Sequence, residues 1–524
     1  MANRRSIRGT CFHLALVFTL VVGWASRGDA ATWTPLGALA PDFTGVAMLL
    51  PDGTVIVQGY SPGNNWMRLT PNSAGSYIGG TWSSIAPMSI PRLYFASHIL
   101  RNLKVWVLGG EYSGAGLPAN WTATGEMYDM VTNTWSPIAS YPAQPGCPGG
   151  AAACFGDDPS MLLAGDKILA GDLLTNRPKV YDIATNTWSA AGVKVYADSS
   201  DEESWAKMAD GSVLTYDLFR SVATGGAYAE RYDPVTNSWS SLSPSDGTAL
   251  GTIPQLSSRA MGFELGPILR LQDGRQFVIG TTGHTGLYDP STNTWAAGPD
   301  ILSATGALFG AADAPGAVMP SGHVLFASDA SPQFTTPFHA PTKLFDFNPV
   351  TNTISEVSPA PPGGLATNLA GEPSYPTRML VLPTGQVLVI DSSRQLWVYT
   401  PDGVPNPALR PSVTRVTYSG GGVFLLGGKQ LNGQNAGSGY GDDAESDENF
   451  PIVRLRNSTG GVFYARTSNW STTGVATGAT PETVNFTLPP GLTTPGNYSV
   501  QVIGAGIAGF PVFVNITAAQ IAGS

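Results

Sequence analysis

Four segments of the chain repeat one pattern, Tyr-Asp followed a few residues later by Asn-Thr/Ser-Trp: Tyr128-Asp129 to Trp135, Tyr181-Asp182 to Trp188, Tyr232-Asp233 to Trp239 and Tyr288-Asp289 to Trp295. A decayed copy runs from Phe345-Asp346 to Ile354, and Trp82 marks an earlier one. The Trp-to-Trp intervals are 53, 53, 51 and 56 residues. A fixed period of this size means an array of like units, none of which buries its apolar face alone. Ahead of the copies run apolar hairpins that turn at Asp52-Gly53, Arg101-Asn102, Gly165-Asp166, Asp210-Gly211, Asp273-Gly274, Ser321-Gly322 and Thr384-Gly385. Glycine supplies the positive φ of a tight hairpin at all but one of them. Hairpin plus motif makes four strands, one propeller blade, so the seven hairpins predict seven blades. The seventh hairpin lacks a closing Asn-x-Trp strand, and Thr32-Trp33-Thr34-Pro35-Leu36 resembles the missing piece. Closure by that segment removes the exposed sheet edges that invite aggregation.

The ~50-residue period is that of kelch repeats, and an all-β chain follows: a seven-bladed kelch-type β-propeller over residues 31–405, then a second domain. Only 12% of residues are charged, and Gly (63) and Pro (42) are abundant, as suits short strands and tight turns rather than helices. Residues 402–411 are a Pro-rich linker. In 411–518, alternating runs at Ile452–Leu455, Val462–Ala465, Val484–Thr487 and Tyr498–Val502 argue for an immunoglobulin-like β-sandwich.

Residues 1–30 read as an export signal, with Arg4, Arg5 and Arg8 ahead of an apolar run from Phe12 to Val22 and small residues at Gly28-Asp29-Ala30. That run is too short to span a bilayer. A secreted, monomeric protein without a membrane span is expected. Cys11 leaves with the signal, and Cys147 and Cys154 close a short loop that an oxidising compartment makes a disulfide. A formal net charge of −10 argues against nucleic acid as a partner.

Loops that open the innermost strands of a propeller gather at one mouth of its channel, where a rigid scaffold presents a site. By position these loops carry Arg92 and Tyr94 (blade two), Asp157 and Asp158 (three), and Asp198, Asp201, Glu202, Glu203 and Trp205 (four). Glu264 (five), Asp313 (six), and Glu372, Tyr375 and Arg378 (seven) complete the set. In so sparsely charged a chain, acids from five blades suit Ca²⁺ ligation, hydrogen bonding to sugar hydroxyls, or acid–base work by a pair whose pKa values are pushed apart. They read equally as turn and channel acids bonded to backbone N–H groups. The Tyr-Asp…Asn-x-Trp residues read as structural, and the acidic run 442–448 as a solvated loop rather than a Ca²⁺ site.

The mature chain resembles the galactose oxidase and glyoxal oxidase superfamily, which joins such a propeller to an Early-set C-terminal domain. In that family copper is held by two tyrosines and two histidines, one tyrosine being linked to a cysteine. Pro91-Arg92-Leu93-Tyr94 resembles the strand of the cross-linked tyrosine, and Ser374-Tyr375-Pro376 that of the second, with proline where the family has histidine. The cysteine falls at about Thr44, and the sandwich, expected to supply the last histidine near Ser468-Asn469, has none. Copper(II) favours imidazole, so copper-radical oxidation is not expected, and no cofactor is required by the sequence. Three readings follow: a binding protein for a glycan or other extracellular hydroxyl-rich ligand, a carbohydrate-active hydrolase or lyase using two of Glu203, Glu264 and Asp313, or a structural surface protein.

Overall fold

The computed structural model describes residues 31–262, 264–330, 338–357, 364–441 and 449–523. The expected export signal and the acidic run 442–448 lie outside the described residues. Seven antiparallel sheets, each with four blade strands, form the propeller. Blade two shows the plan, with strands Ala96–Leu100, Lys104–Leu108, Gly125–Asp129 and Thr134–Pro137 in that order from the channel outward. Thr32–Pro35 pairs antiparallel with Trp397–Thr400, Trp33 opposite Tyr399, so the N-terminal segment closes blade seven.

The repeated motif is a blade-to-blade clamp. In blade three Asp182 Oδ1 accepts the Thr185 N–H, shaping the turn, and Asn186 takes φ 53°, a left-handed conformation that asparagine tolerates. Asn186 Oδ1 accepts from the Tyr181 hydroxyl (2.7 Å) and from Ala139 N–H of the preceding blade (2.7 Å). The Trp188 indole then donates to Ala139 O at 2.9 Å. Trp135 does the same to Ala86 and Trp295 to Leu242.

Beyond a short turn at Pro407–Leu409, eight strands from Ser412 to Ile516 form one sheet that curls on itself. Its inner face, including Phe424, Val453, Phe486 and Val500, is continuous with apolar residues of blades one and two. The domain sits on the hairpin-turn end of the propeller: Asn469 N–H donates to Arg101 O (2.7 Å), Thr467 N–H to Pro51 O (3.1 Å) and Thr473 Oγ1 to Leu163 O (3.1 Å). Ser468-Asn469 therefore lies at the opposite end from the mouth, which corrects the expected position of the element that reaches it. Trp470 is a core residue stacked on Phe450.

A finger of the C-terminal domain reaches the mouth instead. Ser438–Gly439 pairs with the innermost strand of blade six, Gly316–Val318, and Ser438 Oγ accepts Val381 N–H of blade seven at 2.7 Å. The Tyr440 hydroxyl donates to Tyr375 O at 2.8 Å. A Cβ on Gly441 would fall 2.6 Å from Asp313 Oδ1, so only glycine brings backbone this close to that carboxylate. Among the described residues no helix is long and apolar enough to cross a membrane.

Candidate functional site

The channel opens, at the end away from the C-terminal domain, into a cavity of about 450 Å³. Tyr60, Leu93, Tyr94, Tyr112, Leu117, Phe338 and Tyr375 line one side of its chemistry, and Glu111, Asp157, Glu202, Glu264 and Asp313 the other. The aromatic rings form a continuous series, Tyr112 against Tyr94 (6.0 Å between centroids), Tyr94 against Tyr375 (6.3 Å) and Tyr375 against Phe338 (4.9 Å). The carboxylates form two overlapping groups, Asp157–Asp201–Glu202 and Glu202–Glu264–Asp313, each offering oxygens within 4.8 Å of one another. Tyr94, Asp157, Glu202 and Asp313 all have positive φ, between 46° and 59°. Four blades thus hold a non-glycine residue in a costly left-handed conformation at the same entrance, as is common where side-chain direction serves a site.

The sequence-predicted residues divide into those that line or border this cavity and those that support it. Tyr94, Glu202, Glu264, Asp313 and Tyr375 line it together with Asp157, and Asp201 borders it. Arg92, Asp158, Glu203, Trp205 and Arg378 do not; each is buried behind the surface, which corrects their placement at the mouth. Arg92 donates to Gly109 O (2.9 Å) and Thr124 O (2.7 Å) and pairs with Glu126 at 3.0 Å. Arg378 donates to the Tyr375 and Thr377 carbonyls and lies 3.7 Å over the Tyr440 ring, bracing the finger. Glu203 pairs with the buried Lys194 at 2.5 Å and accepts the Trp205 indole N–H at 3.2 Å, so this catalytic candidate is held in a buried cluster away from the cavity lining. Glu372 is exposed outside the cavity.

Tyr60, Glu111, Tyr112, Leu117 and Phe338 were not singled out by sequence. They belong to connections between second and third blade strands, which open at the same mouth because the second strand runs antiparallel to the first. The signal was the length of the blade-two connection, residues 109–124, against the short one at 171–178 of blade three. That connection pairs, Thr122 to Cys154, with the loop between blades two and three, which the Cys147–Cys154 disulfide closes with Cα atoms 5.7 Å apart. Trp121 packs on the disulfide and donates its indole N–H to Asp157 Oδ2 at 3.0 Å, so the staple positions a cavity carboxylate.

Crowded acids in a partly dry site resist ionisation. Burial pushes Asp157 up to about 6 against the Trp121 hydrogen bond. Burial, then the charges of Asp157, Glu264, Glu111 and Glu203, pushes Asp201 up to about 8. Behind them burial, then Asp201, Asp172 and Asp157, carries Asp158 well above the carboxylate range. Lys194 is the counterweight in blade four. Burial alone would lower its pKa, but Glu203, Asp217, Glu230 and Asp198, all within 3.8 Å, raise it.

Residues 91–140 match the Kelch motif. That span covers blade two and the segment leading into it. No curated protein sequence matches the chain. Among solved structures the chain is similar to a "Novel fungal alcohol oxidase with catalytic diversity among the AA5 family, in complex with copper", at 16% identity over 91% of this chain and 85% of that one, with a TM-score of 0.35.

Proposed function

We propose that the chain is an exported binding protein whose propeller mouth holds a glycan. One observation carries the reading: a cavity of about 450 Å³ in which a series of aromatic rings shares the lining with closely spaced carboxylates. A pyranose has the matching construction, with C–H faces that pack on aromatic rings and hydroxyls that donate to carboxylate oxygens. The finger and the buried arginines fix the geometry before a ligand arrives, which lowers the ordering cost of binding.

The donor set does not fit copper. Tyr94 and Tyr375 supply phenols, but among the described residues that line the cavity there is neither imidazole nor thiolate, the nitrogen and soft sulfur ligands that favour copper. Oxidation by a copper radical is therefore not part of the proposal. Hydrolysis is the second reading, favoured by Asp201 holding its proton to about 8 beside other acids. Within each group of three the carboxylates offer oxygens within 4.8 Å of one another, nearer to the roughly 5–5.5 Å separation of retaining glycosidases than to the roughly 6.5–9.5 Å of inverting ones.

A glycan array probed with wild type, Tyr94→Ala and Glu264→Gln tests the proposal. Wild type is expected to bind a restricted set of glycans without cleaving them, and each variant to lose about tenfold or more in affinity, the ~1–3 kcal/mol of one stacked ring or charge-assisted bond. Binding unchanged in both variants, or no glycan bound at all, would overturn it. Release of reducing sugar by wild type selects the second reading.

A further inference from the structure

A second cavity, of about 340 Å³, lies at the other end of the molecule, in the seam where the C-terminal domain meets blade one. It has the size of a small-molecule site. Two arginines line it, Arg68 from the third strand of blade one, Trp66–Thr70, and Arg466 from the strand Val462–Ser468 of the C-terminal domain. That second strand is fastened to blade one by Val462 N–H, which donates to Ser73 O at 2.8 Å, and by Thr467 N–H on Pro51 O. Arg68 Nη2 donates to the Tyr128 hydroxyl at 3.2 Å. Among the described residues neither arginine makes a salt bridge, and the Nε of each is buried without a hydrogen-bond partner. Asp52, the acid in the described lining, has one oxygen committed to its own hairpin turn, accepting the Thr54 N–H at 3.0 Å and the Thr54 hydroxyl at 2.6 Å. Two guanidinium groups against one carboxylate leave the seam positive in a chain whose formal net charge is −10. A guanidinium withdrawn from water without an acceptor costs free energy that an incoming anion returns.

We infer that this seam cavity is a second binding site, independent of the mouth, that takes an organic anion: a carboxylate held by Arg68 and Arg466, on a body that packs against an apolar wall. Phe463, Leu488, Pro489 and Pro490 supply that wall. A planar guanidinium presents paired N–H donors that match the two oxygens of a carboxylate, and charged bonds of this kind are about twice as strong as neutral ones. Prolines and an aromatic ring cover apolar surface with little rotamer freedom to lose. A free inorganic ion would satisfy the arginines and leave the wall wet, so the size and lining of the cavity favour an organic acid. Such a carboxylate occurs on a uronic-acid sugar and on a small aromatic acid, and both present a ring to the wall. A ligand that touches both domains also fastens the C-terminal domain to the propeller.

The test is calorimetric titration of the full mature protein with a galacturonic-acid trimer, the neutral galactose trimer, benzoate and inorganic phosphate. It is repeated with Arg68→Gln, Arg466→Gln and Arg466→Lys. At least one of the two carboxylates is expected to bind once per chain with a dissociation constant below about 1 mM, and to raise the melting temperature. It should bind about tenfold or more tighter than the neutral trimer and phosphate, and each Gln variant should weaken it by about tenfold or more. Arg466→Lys, which keeps the charge and loses the planar fork, should weaken it as well. Binding of the uronic-acid trimer alone names an acidic sugar as the source, and binding of benzoate alone a small aromatic acid; either result supports the site. Undiminished binding by Arg466→Lys would show charge attraction without a built site and overturn the inference. Unchanged binding in both Gln variants, or phosphate bound as tightly as the carboxylates, would overturn it too, as would no binding of either carboxylate. The two arginines belong to different domains, so either Gln variant decides alone should the other fail to fold.

Discussion

Neighbouring residues at the blade entrances do opposite jobs. Asp157 faces the cavity and Asp158 is buried behind it; Glu202 faces the cavity and Glu203 is paired with Lys194. Asp157 and Glu202 take left-handed φ of 55° and 59°, so the chain turns sharply at each of them and the acid that follows is carried away from the mouth. The pKa directions make this testable through stability. Asp157 and Asp201 titrate at about 6 and about 8 in the fold, against 3.8 ordinarily. Between those values the folded chain holds protons that the unfolded chain lacks. The stability these two acids contribute is therefore full below the ordinary carboxylate value and is lost as pH rises through 6 and 8. Thermal melting followed from pH 5 to pH 9 should show the melting temperature of the wild type falling. Asp201→Asn, whose side chain cannot ionise, should fall less steeply and melt roughly 2–4 °C higher at pH 9. Identical slopes would refute the assignment.

The blade is the element on which the fold depends, and its motif is legible because the interactions are local and repeated. Within seven residues an aspartate shapes the turn, an asparagine accepts the left-handed conformation and bridges to the previous blade, and a tryptophan adds a second bridge. Asn186→Ala removes two hydrogen bonds and leaves alanine in a left-handed conformation that asparagine tolerates better. It should cost about 2 kcal/mol in urea unfolding. Trp188→Phe keeps the ring contact and loses one bond, so it should cost about 1 kcal/mol. Equal, negligible losses would show that the motif is not a clamp. The decayed copy in blade six keeps the left-handed Asn352 (φ 53°) without a tryptophan, which shows that the backbone conformation outlasts the aromatic.

At the scale of the whole molecule, the sequence made the closed ring legible and left the finger hidden. Thr32–Pro35 resembles other closing strands, so its partner could be read from the repeat. Ser438–Gly439 has no periodic pattern, and its partner Gly316–Val318 lies more than a hundred residues earlier; only tertiary packing brings them together. The site was half legible for the same reason. Entrance acids follow from blade register, whereas Tyr60, Tyr112 and Phe338 come from connections whose direction depends on the closed ring. The C-terminal domain thus contributes from below what the blades present from above, with Tyr440 against Tyr375 and Gly441 beside Asp313. The most direct measurement is a crystal structure of the protein with the tightest ligand from the glycan array. The ligand should lie in the mouth cavity, its ring against Tyr94 and Tyr375 and its polar groups on Glu202, Glu264 and Asp313. A ligand bound elsewhere, with that cavity left to water, would contradict the account.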